Sequence, residues 1–138
     1  MNKYIKMSIL PICLALSVGY TSSTTAETQT QGAYQIETIA SSSAYPTGIQ
    51  VIPEKDGLHI IGRVTHNIHQ ARRIRGHVDI EFVDASGKIV KRITVPLQHQ
   101  YGRVKRTHSV PFSAIIHEEV PNEYRIRIRH NIGNADHQ

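Results

Sequence analysis

Between positions 77 and 97 the chain spells out a β-hairpin. Val78, Ile80 and Phe82 alternate with His77, Asp79 and Glu81, a period of two that sends apolar and polar side chains to opposite faces of a strand. Asp84-Ala85-Ser86-Gly87 then supplies a strong turn. Residues 88–97 return with Ile89, Ile93, Val95 and Leu97 facing inward. The same Val-, Ile- and Thr-rich pattern, broken by turn residues, predicts further strands at 48–52, 58–65, 108–116 and 124–130. In 108–116 the inward set is Val110, Phe112, Ala114 and Ile116, and Pro111 on the other face marks an edge strand. No stretch combines a helical period with caps. Six strands with one apolar face each must bury those faces against one another. The expectation is therefore an all-β fold, a small antiparallel β-sandwich of about six to seven strands. A small closed barrel is the alternative.

The first residues stand apart from this pattern. Lys3 and Lys6 precede an apolar run from Met7 to Val18, and Thr24-Thr25-Ala26 follows with small residues. That sequence of features predicts a signal peptide over 1–26, cleaved after Ala26. The run falls short of the roughly 20 residues that span a bilayer, so the mature protein is expected to lack a transmembrane anchor. Lipidation at Cys13 is disfavoured, because Ile12 before it is large and the apolar run continues past it. Cys13 is the one cysteine of the chain, so the mature protein has no disulfide, thiolate nucleophile or cysteine metal ligand. The expected location is periplasmic or secreted. Residues 27–47, rich in Ser, Thr, Gln and Ala, read as a flexible polar linker in which Tyr34, Ile36 and Ile39 could form a short strand. The domain is expected over 48–131, with a tail at 132–138.

The strand number, the Asp84–Gly87 hairpin and the alternation over 48–131 resemble the small immunoglobulin- or fibronectin-type sandwiches of exported bacterial proteins. The resemblance is one of fold and carries no function. The Cys–Trp–Cys signature of antibody-type domains is missing, since the chain has no Trp.

Nine histidines in 138 residues are the unusual compositional feature. Successive antiparallel strands alternate in direction, so loops two apart in sequence share one end of the domain. Six expected strands thus place His66, His69, His77, His99, His108 and His130 at one end. His59 and His117 fall at the other end, and His137 falls in the tail. Arg72, Arg73, Arg75, Arg103, Lys105 and Arg106 join the first group, with no acid in either loop. Glu54, Asp56, Asp84, Glu118, Glu119 and Glu123 gather at the opposite end beside Lys55 and Lys88.

Three readings follow from this division. Clustered guanidinium groups suit carboxylates and phosphates, Tyr101 would add a stacking surface, and histidines would make the tip more cationic in acid. That points to an anionic component of the cell envelope or a protein partner, bound by Arg72, Arg73, Arg75, Tyr101, Arg103, Lys105 and Arg106. Alternatively His66, His69, His99, His108 and His130 hold a transition metal, Cu or Zn, as in a periplasmic metal-tolerance protein. The nearby positive charges oppose that. In the third reading the residues are solvated loop with no specific role; a separate alternative for the chain is a structural envelope subunit in which an edge strand pairs with a neighbour. His130 shares the inward parity of Ile126 and Ile128, which suits a satisfied histidine capping the core as well as a ligand. Arg125, Arg127 and Arg129 form an outward stripe, with Glu81 or Asp79 as cross-strand partners.

The leader removes two of sixteen basic residues and leaves the eleven acids. Such a mild excess, in an exported chain, argues against nucleic acid as the partner. No nucleophile elbow, zinc-protease helix or phosphate-cradling loop is present, and adjacent Glu118 and Glu119 would face opposite ways in a strand. The chain is not expected to be an enzyme.

Overall fold

The computed structural model describes residues 26–67, 73–98 and 108–133. They form eight strands: β1 (Ala26–Gln31), β2 (Tyr34–Ile39), β3 (Ala44–Glu54), β4 (Gly57–His66), β5 (His77–Val83), β6 (Ile89–Pro96), β7 (Ser109–Ile116) and β8 (Arg125–Asn131). Five of them make one sheet in the order β1-β2-β8-β5-β6, and three make a second in the order β3-β4-β7. The fold is all-β and built from two sheets, as the alternation required.

The core lies between the sheets. Ile36, Val78, Ile80, Phe82, Ile126 and Ile128 from the larger sheet pack against Leu58, Ile60, Val64, Val110, Phe112 and Ile116 from the smaller. Each set occupies every second position of its strand, and burying such side chains is the main driving force for so small a domain.

Three features differ from the expectation. Residues 27–47, expected as a flexible polar linker, carry β1, β2 and the start of β3. Their hairpin turns on Gly32 and Ala33 with Gly32 at φ 58°, the positive-φ first position of a tight two-residue turn. The sandwich is also not purely antiparallel, because β2 runs parallel to β8. Finally, Ile89 is exposed rather than inward. Phe82 pairs with Lys91 but Val83 pairs with Ile89, so Val90 is an extra residue that reverses the facing of everything before it. The signal-peptide reading of 1–26 concerns residues that, up to 25, lie outside those described.

The outer face of the larger sheet is an ion-pair lattice. Arg92 bonds Glu81 Oε1 through Nε at 3.0 Å and Nη2 at 2.8 Å. Arg127 Nη1 sits 3.6 Å from Oε2, which has no hydrogen bond among the described residues. Arg125 and Arg127 both donate to Glu37. Arg127 thus meets Glu81 across the strands as the alternation suggested, and Glu81 is only 1 % exposed. Glu37, from the segment read as linker, supplies the second acid.

Candidate functional site

Strand direction brings one set of polar groups to a single end of the sandwich. There β4 finishes at His66, β5 begins at His77, β7 begins after His108 and β8 finishes at Asn131. The register confirms the grouping: His77 lies opposite Asn131, and Val78 opposite His130. The His66 amide donates to the His108 carbonyl at 3.2 Å. The link from β2 to β3 also crosses here, since Ile39 pairs with Arg129 and Ala44 with His66.

His130 ties this end together. Its ring is 2 % exposed. Nε2 lies 2.9 Å from the Arg75 carbonyl and Nδ1 lies 2.8 Å from Ser41 Oγ. A carbonyl only accepts, so Nε2 carries a proton. Burial pushes the imidazole below its usual value of 6.5; the Arg75 carbonyl acts in the opposite sense, and His77 and His66 add to the lowering. The neutral ring therefore accepts the Ser41 hydroxyl proton at Nδ1. Ser41 Oγ in turn accepts from the Ser43 and Ala44 amides, and Asn67 closes the link by bonding the Ser41 and Ser43 carbonyls.

This anchorage sets the display of two arginines. Ile74 is buried, while Arg73 and Arg75 on either side are exposed. The apolar plug and the bond from His130 to the Arg75 carbonyl fix the backbone at two adjacent residues, so the guanidinium groups project from a held segment. Gly76 lets it approach β8: its φ is +102°, and a Cβ there would lie 1.8 Å from the Asn131 carbonyl oxygen. Behind the arginines, Thr94 and Asn131 donate to Asp79. His77 Nδ1 bonds the Gly133 carbonyl at 3.1 Å, and its Nε2 stands 3.6 Å from Asp79. Asp79 is 7 % exposed, so its charge is spent inside the fold and leaves the surface at this end cationic.

Of the residues singled out from the sequence, His66, Arg73, Arg75, His108 and His130 are described, and all five lie at this end. His69, Arg72, His99, Tyr101, Arg103, Lys105 and Arg106 lie outside the described residues. As a metal ligand His130 is poorly disposed, because both ring nitrogens are engaged within the fold. Among the described residues no three His, Cys, Asp or Glu side chains are grouped to hold a metal ion. Sequence reasoning missed Ser41 and Asn67, which act through a crossover visible only once β2 is known to join β8.

The opposite end has another character. Asp84 Oδ1 accepts from the Ser86 hydroxyl and amide and from the Lys88 amide. These bonds, with the Lys88 charge, hold its carboxyl below the usual value. Lys91 pairs with Glu118, and His59 bonds Ser113 Oγ at 2.9 Å with Glu54 at 3.7 Å. Acids dominate there, and Glu54, Asp56, Glu118, Glu119 and Glu123 are exposed.

Fold and site together define a two-sheet all-β domain with polarised ends. Compared with family models, curated proteins and solved structures, the chain matches none.

Proposed function

We propose that this chain is a non-enzymatic binding module of the cell envelope, an immunoglobulin- or fibronectin-like sandwich whose histidine- and arginine-bearing end contacts an anionic partner. A leader over 1–26 would export it to the periplasm or beyond. The observation that carries the reading is the pair Arg73 and Arg75, exposed on a segment pinned by buried Ile74 and by the His130 bond. A pinned guanidinium loses less freedom on binding than one on a loose loop, and it recognises carboxylate, phosphate or sulfate through paired hydrogen bonds. The acidic far end would orient the domain by repelling the same partner.

The test is binding of an anionic polysaccharide and of anionic vesicles to the wild type, to Arg73→Ala/Arg75→Ala and to Lys55→Ala/Lys88→Ala. The reading expects at least about a tenfold loss, near 1.4 kcal/mol, in the arginine pair and little change in the lysine pair. Equal losses in both would refute it.

A further inference from the structure

The two sheets have four edge strands, β1 and β6 in one and β3 and β7 in the other. An open edge is a template for a further strand unless something blocks it, and proline, bulges, lysines and covering groups are the usual blocks.

Three of the four edges carry such blocks. In β3, Pro46 and Pro53 remove two donors, and the register shifts between Thr47 and Gln50 around Gly48, at φ 59°. The side chain of Gln31 then covers the open side. Its Nε2 donates to the Ile49 carbonyl, and its Oε1 accepts from the Val51 amide at 3.0 Å. That amide does what a neighbouring peptide unit would do. In β7, Pro111 interrupts the edge and its carbonyl is taken by the Gln98 amide at 3.0 Å. In β6, Lys91 and Arg92 sit beside the Val90 bulge, and Pro96 ends the strand.

Among the described residues β1 has none of these. Its sequence, Ala-Glu-Thr-Gln-Thr-Gln, contains no proline, lysine or arginine. Its pairing with β2 runs without a shift from Ala26–Ile39 to Gln31–Tyr34, and five of its six residues are exposed. The two-residue turn closes on Gln31 and Tyr34, so alternation directs the N–H and C=O of Ala26, Thr28 and Thr30 to the open side.

We infer that β1 pairs antiparallel with β1 of a second copy of this chain about a two-fold axis at Thr28. In that register Thr28 meets Thr28 and Glu27 meets Gln29 of the other copy, and in a chain that keeps Ala26 this residue meets Thr30. The one charged side chain of the strand faces a neutral amide, threonines face each other in a favourable cross-strand pair, and about two backbone hydrogen bonds form at Thr28, with about four more where Ala26 is kept. Like ends of two-fold strands cannot add a third, and the blocked β6 edge stops the joined sheet from growing. The product is therefore a closed dimer with one ten-stranded sheet, and not a fibre. Its small contact makes it a weak dimer.

Sedimentation of the purified chain with Ala26 retained, across about 10 µM to 1 mM, tests this. The weight-average mass should climb toward that of a dimer. Thr28→Lys sets two like charges on the axis, while its neighbour across the hairpin, Glu37, accommodates the lysine within one copy. It should weaken association at least about tenfold without lowering the melting temperature, and Thr28→Pro should do the same. Val90→Lys on β6 should leave association unchanged. A wild type that stays monomeric throughout, or association lost with Val90→Lys and retained with Thr28→Lys, would overturn the inference.

Discussion

The two ends of this sandwich use the same kinds of residue to opposite effect. At one end His130 is tied to Ser41, and Asp79 to Thr94 and Asn131, within the fold, while Arg73 and Arg75 stand exposed. At the other, histidine and carboxylates stand in solvent, where water and salt screen them. His130 and His59 make the contrast plain. Both hydrogen-bond a serine hydroxyl, but His130 is 2 % exposed and also bonds the Arg75 carbonyl, whereas His59 is 29 % exposed at its side chain. Burial converts a titratable group from a surface charge into a structural tie. Here the tie holds the segment that displays Arg73 and Arg75.

That difference can be broken most severely at His130. His130→Ala leaves a cavity and strands the Arg75 carbonyl, and should cost about 2–4 kcal/mol in chemical denaturation. The matched change His59→Ala should cost less than about 1 kcal/mol; similar losses at both sites would erase the distinction. Gly76→Ala comes next, at about 1–3 kcal/mol, because the new methyl meets the Asn131 carbonyl and the backbone is strained at its positive φ. It should also move the arginine segment, visible as altered amide shifts at Arg73–Arg75.

A gentler separation comes from pH. Folding holds His130 below its ordinary value, so near pH 6 the unfolded chain binds more protons than the folded one. The contribution of this end is complete above about pH 6.5 and declines as pH falls below it. Asp84 is held low by its turn, so its contribution survives until pH falls below the usual carboxylate value of 3.8 and then declines. Denaturation midpoints measured from pH 8 to pH 3 should thus fall in two windows. His130→Gln should flatten the upper window and leave the lower one. The smallest effect belongs to Asp84→Ala in the 84–88 turn, which should lower the midpoint slightly above pH 3.8 and flatten the lower window.

Much of this was legible from residue order alone. The six strands from β3 to β8 follow from alternation and turn residues, and their alternating direction groups His66, His77, His108 and His130 without any knowledge of sheet order. The short strand allowed at Tyr34, Ile36 and Ile39 is β2, but β1 and the hairpin escaped because these segments are rich in Gln and Thr, whose polarity imitates a linker. Tyr34, Ile36 and Thr38 are nevertheless buried at period two, and Gly32 marks the turn. Pairings between residues far apart, such as Glu37 with Arg125 and Arg127 or Gln31 with β3, depend on which strands become neighbours. Local pattern does not encode that. The Val90 bulge was hidden for another reason: one extra residue inverts parity without changing composition.

The central claim is that the arginines held by His130 form the recognition surface. Amide-shift mapping of the 15N-labelled chain, titrated with an anionic polysaccharide at low salt, tests it most directly. Shifts centred on Arg73–His77 and Asn131–Gly133, fading as salt is raised, are the predicted result. Shifts centred on the 55–57 and 84–88 turns, or a response indifferent to salt, would contradict it.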